Sequence, residues 1–253
     1  MAASLGRRPI WPTSSSRILR EMNDNLAPTG SAPALHGRRK GKKLRTYQAG
    51  LVEDLLPKLK IDVSAAIADI GALFDAPPAE ICLEIGFGGG EHLAFQAKQH
   101  PQTGFLGCEP FVNGAAKLLA AIDERHLANI RLHVGDAGEL IDRLPAASLS
   151  LVYLLYPDPW PKRRQRKRRF VSDEMLVRLA RIMRPGAELR FATDIDDYAG
   201  WVLARVLRSK DFAWLPADCA SWLSPWPAWP GTRYEAKAML QGRPRSYLTF
   251  HRR

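Results

Sequence analysis

Ile81-Cys82-Leu83-Glu84-Ile85-Gly86-Phe87-Gly88-Gly89-Gly90 is a short apolar run that ends in a glycine cluster and leads at once into the amphipathic stretch Glu91 to Gln99. Glycine tolerates positive φ and lets backbone pass close to a ligand, so the segment reads as a strand, a tight turn and the start of a helix. The alternation continues outward. Gly104 to Cys108, Ile130 to Val134, Leu149 to Tyr156 and Ala187 to Ala192 read as strands, and Gly114 to Leu127, Ser172 to Met183 and Asp196 to Ser209 as helices. Strands separated by helices predict a parallel sheet, and nearly continuous apolar strands predict that both its faces are covered. The expected fold class is α/β, a doubly wound, mostly parallel sheet with active residues at strand carboxyl ends. Helical spacing over Tyr47 to Leu59 and Ser64 to Phe74 predicts one or two leading helices that stop before Pro77-Pro78. Trp222 to Gly231 is too rich in proline for regular structure, and Arg245 to His251 reads as a last edge strand.

The chain has 253 residues, 46% of them hydrophobic, enough for one principal domain with a substantial core. Its longest apolar run, Leu149 to Tyr156, falls well short of the roughly 18 residues a membrane helix needs, so no membrane partner is expected. Cys82, Cys108 and Cys219 are odd in number and form no Cys-x-x-Cys pair. That excludes a disulfide framework and a cysteine zinc site, and it fits a reducing compartment, with the cytoplasm as the expected location. The histidines His36, His92, His100, His126, His133 and His251 form no ligand-spaced cluster, so no metal is expected.

The net charge of +11 is concentrated in two places. Residues 1–45 hold ten Lys or Arg against Glu21 and Asp24, and Lys162 to Arg169 is cationic at every position except Gln165. Such focusing suggests a polyanion held at a defined place. Residues 1–45, rich in Ser, Pro, Gly and Arg, predict a mobile basic arm, with residues 46–253 as the main domain. An organelle presequence shares that composition, although Glu21 and Asp24 interrupt it.

A dinucleotide fingerprint would place glycine at position 91, where this chain has Glu91, an anion at the helix N-terminus where a pyrophosphate would dock. The pattern Glu84-x-Gly86-x-Gly88-x-Gly90 instead suits a nucleoside without phosphate, such as S-adenosylmethionine, whose sulfonium is positive. Glu109 follows Gly88 by the interval at which an acid accepts from ribose hydroxyls, and Asp136 ends the third strand, where it can orient an adenine or cap a turn. The fourth strand runs into Tyr156-Pro157-Asp158-Pro159-Trp160-Pro161 and then Lys162-Arg163-Arg164-Gln165-Arg166-Lys167-Arg168-Arg169. Two prolines hold Asp158 with little freedom, Trp160 is a candidate for stacking on a base, and the cationic run suits flanking phosphates.

Together with Ala192-Thr193-Asp194 and Thr232-Arg233-Tyr234-Glu235, these motifs closely resemble the bacterial tRNA (guanine-N7-)-methyltransferases, class I S-adenosylmethionine-dependent enzymes with a Rossmann-like sheet. The resemblance covers about Arg38 to the C-terminus; the PDPW motif with its basic run is far more restrictive than the glycine loop. It implies that Glu84, Gly86, Gly88, Gly90, Glu109, Asp136 and Asp158 contact the cofactor, with Asp158 as the presumed catalytic residue. It implies guanosine contacts for Lys162, Asp194, Thr232, Arg233, Tyr234 and Glu235, and RNA contacts for Arg164, Gln165, Arg166, Lys167, Arg168 and Arg169. Gln165 stands where many relatives have His, and Pro161 also varies, so fine specificity is the part left open. The implied reaction forms 7-methylguanosine in the tRNA variable loop (position 46 in tRNA numbering), with tRNA as partner and no obligate protein partner. Two other readings compete: a methyltransferase acting on a small molecule or protein, and an RNA-binding module without catalysis. Intact Glu84, Glu109, Asp136 and Asp158 weigh against the second.

Overall fold

The computed structural model describes residues 41–218 and 220–253, so the expected arm lies outside the described residues up to residue 40. Two short helices, α1 (Thr46–Asp54) and α2 (Leu56–Leu59), lead into alternating elements. These are β1 (Glu80–Ile85), α3 (Glu91–Gln99), β2 (Thr103–Cys108), α4 (Val112–Arg125), β3 (Ile130–His133), α5 (Ala137–Arg143) and β4 (Leu149–Leu155). They continue as α6 (Asp173–Ile182), β5 (Met183–Thr193), α7 (Asp196–Arg208), β6 (Phe212–Trp214), α8 (Arg233–Leu240) and β7 (Ser246–Arg252).

The strands form one sheet of order β3-β2-β1-β4-β5-β7-β6. β1 to β5 run parallel, while β7 is antiparallel to both β5 and β6. Strand order reverses at β1, which pairs β2 on one side and β4 on the other. That reversal opens a crevice beyond the carboxyl ends of β1 and β4, where ligands of open α/β sheets bind. The two faces carry separate cores. Leu93, Ala94, Leu118, Leu119 and Ile122 of α3 and α4 pack on one face with Phe105 and Leu132, and Leu140, Leu176, Leu179, Val202 and Val206 of α5, α6 and α7 pack on the other with Leu83, Val152 and Leu189. Burying each such side chain contributes about 1.5–3 kcal/mol.

Three expectations change. Ser64 to Phe74 is not a helix; only Gly71–Leu73 makes a 3-10 turn. Asp62 and Asp69 each accept from the backbone N–H two residues on, at 2.9 and 2.8 Å, so side chains compete with the helical ladder while Ile70 and Phe74 still reach the core. The C-terminal strand lies between β5 and β6, and the edge belongs to Phe212–Trp214. Helices α5 and α8 go beyond the expected set. Each begins at a residue read as a ligand contact: Asp136 accepts from Gly138 N–H at 2.6 Å, and Thr232 opens a capping box with Glu235.

Candidate active site

The glycine turn between β1 and α3 takes φ values of +73° at Gly86 and +59° at Gly88, a region L side chains enter only under strain. A Cβ at Gly86 would meet nothing within 4 Å, so the turn opens onto free space there, whereas one at Gly88 would strike the Arg233 guanidinium at 2.9 Å. From behind, Gly114 of α4 presses on the Gly88 carbonyl so closely that any side chain there would collide with it.

Glu84 and Glu109 converge on this turn. Glu109, at the end of β2, accepts from Gly88 N–H at 2.7 Å and from Phe111 N–H at 3.0 Å. Burial raises its carboxyl above the usual range; those two bonds and Arg233 pull it back, and the neighbouring Asp158 charge pushes it up. Glu84, near the end of β1, is buried and lies 2.7 Å from His92 Nδ1. Asp136 flanks Cys108 together with Glu109 and uses one oxygen to cap α5. Glu84, Gly86, Phe87, Glu91, His92, Leu155, Thr232 and Tyr234 line a small open cleft.

Asp158 stands on a strained turn. Tyr156 and Trp160, each immediately before a proline, have φ of +50° and +42°. Pre-proline residues and bulky side chains both disfavour that region, so each costs about 1–3 kcal/mol and persists only because its surroundings hold it. Tyr156 N–H donates to the Ala192 carbonyl at 2.8 Å, and Arg169 Nε donates to the Pro159 carbonyl at 2.8 Å. Asp158 itself is exposed, yet the groups around it withdraw enough water to raise its carboxyl above the ordinary aspartate range.

Residues expected to read the base divide into two groups. Arg233 and Tyr234 lie over the glycine turn, with the Arg233 guanidinium 3.0 Å from the Tyr234 phenol oxygen. Asp194, at the end of β5, forms a 2.7 Å ion pair with Arg243. Glu235 is buried and heavily used: Trp229 Nε1 donates to it at 2.6 Å, Thr232 N–H at 3.3 Å, and the Tyr247 hydroxyl donates to its other oxygen. Glu235 is thus built into the wall that supports the cleft.

Lys162 caps a 3-10 turn, Arg163–Arg168, that carries the basic run. Arg164, Lys167 and Arg168 are exposed, while Gln165 and Arg166 are half-buried. Arg168 covers the Trp160 ring at 5.0 Å, so that ring already has a cationic neighbour. Arg169, expected on the RNA, is 3% exposed and points inward, bonded to the Pro159 carbonyl and the Asp197 carboxylate and stacked on Tyr198 and Trp201. A guanidinium with five donors satisfies a buried polar pocket, and charge alone in the sequence did not distinguish it from its exposed neighbours.

Sequence reasoning missed His92, Arg243 and Asp197 as partners of Glu84, Asp194 and Arg169. His92 had a local signal, since it lies on the first turn of the helix that the glycine turn opens; the other two are long-range contacts. Among the described residues, no group of three or more His, Cys, Asp or Glu is placed to hold a metal ion, and no helix is long and apolar enough to cross a membrane.

Residues 78–248 match the family described as "Putative methyltransferase". The chain is 51% identical over 233 residues to the tRNA (guanine-N(7)-)-methyltransferase of Brucella melitensis, covering 92% of this chain and all of that one. It is 53% identical over 221 residues to the enzyme of that name from Agrobacterium fabrum, covering 87% of this chain and 95% of its relative. The solved structure of PH0851 superposes with a TM-score of 0.52 over 72% of this chain and 44% of that one, at 14% identity, a likeness of fold alone.

Proposed function

The chain belongs to the tRNA (guanine-N7-)-methyltransferase family and transfers the methyl group of S-adenosylmethionine to N7 of a guanosine in tRNA; within that activity we propose that the target lies in the variable loop and that Asp158 is the catalytic residue. The donor set suits this cofactor. Acids at the ends of adjacent strands, with open space beside Gly86, fit a cationic nucleoside without phosphate. When bound, S-adenosylmethionine supplies an electrophilic methyl group on a positively charged sulfur.

In the proposed arrangement Glu84 faces the amino group, Glu109 accepts from ribose hydroxyls with the lone pairs its two backbone bonds leave free, and Asp136 uses its uncapped oxygen toward the adenine. Guanine N7 carries an in-plane lone pair and no proton, so no residue has to act as general base. The chain must align the reacting atoms and counter positive charge. Orientation of this kind supplies roughly 7–11 kcal/mol in favourable cases. Asp158, held by its strained turn, sets a fixed negative charge where the purine becomes cationic. Asp194 accepts from guanine N1–H and the 2-amino group while Arg243 steadies it, with Thr232 and Tyr234 beside the base and Arg164, Lys167 and Arg168 on phosphates. Glu235 acts by holding the helix that carries Arg233 and Tyr234.

The observation that carries the reading is the Pro157-Asp158-Pro159 turn, set beside the acid-lined glycine turn and continuous with the cationic turn. As further parts of the proposal, residues 46–253 form the catalytic domain, residues 1–45 are a basic arm, and the enzyme acts in the cytoplasm without an obligate protein partner. Buried, unpaired Cys82 and Cys108 support a reducing compartment; burial pushes the Cys82 thiol up to about 11 and Cys108 well above its ordinary value. Incubation with unmodified tRNA and labelled S-adenosylmethionine, followed by reduction and aniline cleavage, tests the target: a break at the variable-loop guanosine is expected, and a break elsewhere overturns it.

A further inference from the structure

A line of side chains, buried except for the half-buried Trp229, runs from Glu84 beneath the glycine turn to Glu235 at the start of α8. Glu84 and His92 are 3% and 2% exposed. His92 Nδ1 lies 2.7 Å from Glu84, and Gln96 Nε2 lies 3.3 Å from His92 Nε2. One neutral tautomer satisfies both bonds, with Nδ1–H donating to the carboxylate and Nε2 accepting from the amide. The imidazole packs on the Trp229 ring at 5.0 Å and 43°. Trp229 Nε1 donates to Glu235 at 2.6 Å, and the Tyr247 hydroxyl holds the other oxygen of Glu235. Glu235 in turn closes the capping box that starts α8 and sets Arg233 and Tyr234 over the glycine turn.

Interiors are packed too densely for one member of such a line to turn without its neighbour, and hydrogen bonds to carboxylates are short and directional. A ligand ammonium that engages Glu84 competes with His92 for its oxygens and reorients the imidazole, whose ring rests on the indole that supports Glu235. We infer that His92 and Trp229 are positioning residues that couple cofactor engagement at Glu84 to docking of the guanosine beside α8. The inference rests on the assignment of Glu84 to the cofactor and of α8 to the base.

The test measures binding of unmodified tRNA with and without S-adenosylhomocysteine in the wild type, His92→Asn and Trp229→Phe. His92→Asn keeps an amide donor for Glu84 but removes the ring against Trp229. Trp229→Phe keeps a ring against His92 but removes the donor to Glu235. In the wild type, S-adenosylhomocysteine should tighten tRNA binding at least about fivefold, and tRNA should tighten S-adenosylhomocysteine by the same factor. In each variant the factor should fall toward one, with affinity for S-adenosylhomocysteine alone within about twofold of wild type in Trp229→Phe, whose side chain is outside the cleft lining, and the double variant should lose no more coupling than the single ones. A packing defect alone would weaken both ligands and leave their mutual effect intact. Wild-type ligands that bind independently, or a Trp229→Phe enzyme with full coupling, would overturn the inference. Failure of the wild type to bind either ligand would sink the assignment beneath it instead.

Discussion

Arg169 Nε donates to the Pro159 carbonyl at 2.8 Å while its Nη2 holds the Asp197 carboxylate, so the turn that presents Asp158 is tied to the first turn of α7. The arginine side chain is wholly buried and the aspartate half in water. Arg166 adds a second ion pair to Asp197 at 2.8 Å. A guanidinium in the basic run therefore works on the protein's own backbone.

Arg169→Met should lower kcat about 100-fold by loosening the Asp158 turn. The salt dependence of tRNA binding should not change. A flatter salt slope, the mark of fewer neutralised phosphates, would return Arg169 to the RNA surface.

Asp197 gives the acid limb of stability. The hydrogen bond from Arg169 holds its carboxyl below the usual range, so its stabilising contribution is present above the unfolded aspartate pKa of about 3.9 and is lost as pH falls through the lower folded value. Because its carboxylate is half in water and screened, Asp197→Ala should cost only about 1 kcal/mol at neutral pH, with the difference from wild type shrinking in that acid window. Urea denaturation at stepped pH reads both.

Asp158→Asn should reduce kcat by about 10²–10³-fold, while S-adenosylmethionine still binds. Burial raises the Asp158 carboxyl, so its ionised form opposes folding at every pH above the folded pKa. Removing that charge should leave the thermal midpoint unchanged or slightly higher. A marked fall in the midpoint would mean that the aspartate supports the fold.

Arg164, Lys167 and Arg168 changed to Ala together should weaken tRNA binding and reduce the slope of log K against log salt by about one for each phosphate left without its cation. Titration with S-adenosylmethionine should give the wild-type affinity. Parallel losses for both ligands would indicate damage to the cleft.

Two glycines outside the loop should respond in opposite ways. Gly114→Ala pushes a methyl group into the Gly88 carbonyl and should weaken cofactor binding at least tenfold. Gly50, in α1, has nothing within 4 Å of an added Cβ, so Gly50→Ala should stabilise the protein by about 0.4–1 kcal/mol. Calorimetry and thermal melts separate the two.

The parallel half of the sheet was legible because its strands are apolar on both faces and its helices keep a clear period. Glu91 to Gln99 needed no adjustment at either end. Ser64 to Phe74 failed because apolar spacing records which residues reach the core without stating that the backbone between them is helical. Local signals also placed Glu84, Glu109 and Asp158 at or just past strand ends, where the structure has them. Contacts with distant partners stayed hidden: nothing around Arg169 in the sequence announces Asp197, and nothing around Glu235 announces that Trp229 and Tyr247 use its oxygens.

The placement of β7 between β5 and β6 has a temporal corollary. Phe212–Trp214 can only pair with a strand that follows it by more than thirty residues, whereas β1 to β4 join neighbours as they appear. During synthesis from the N-terminus, β1 to β5 can therefore pair before β6 has a partner. The half that carries the glycine turn should then gain protection first and the half that carries Thr232 to Glu235 last, an order that pulse-labelled amide protection of ribosome-bound chains of increasing length would display.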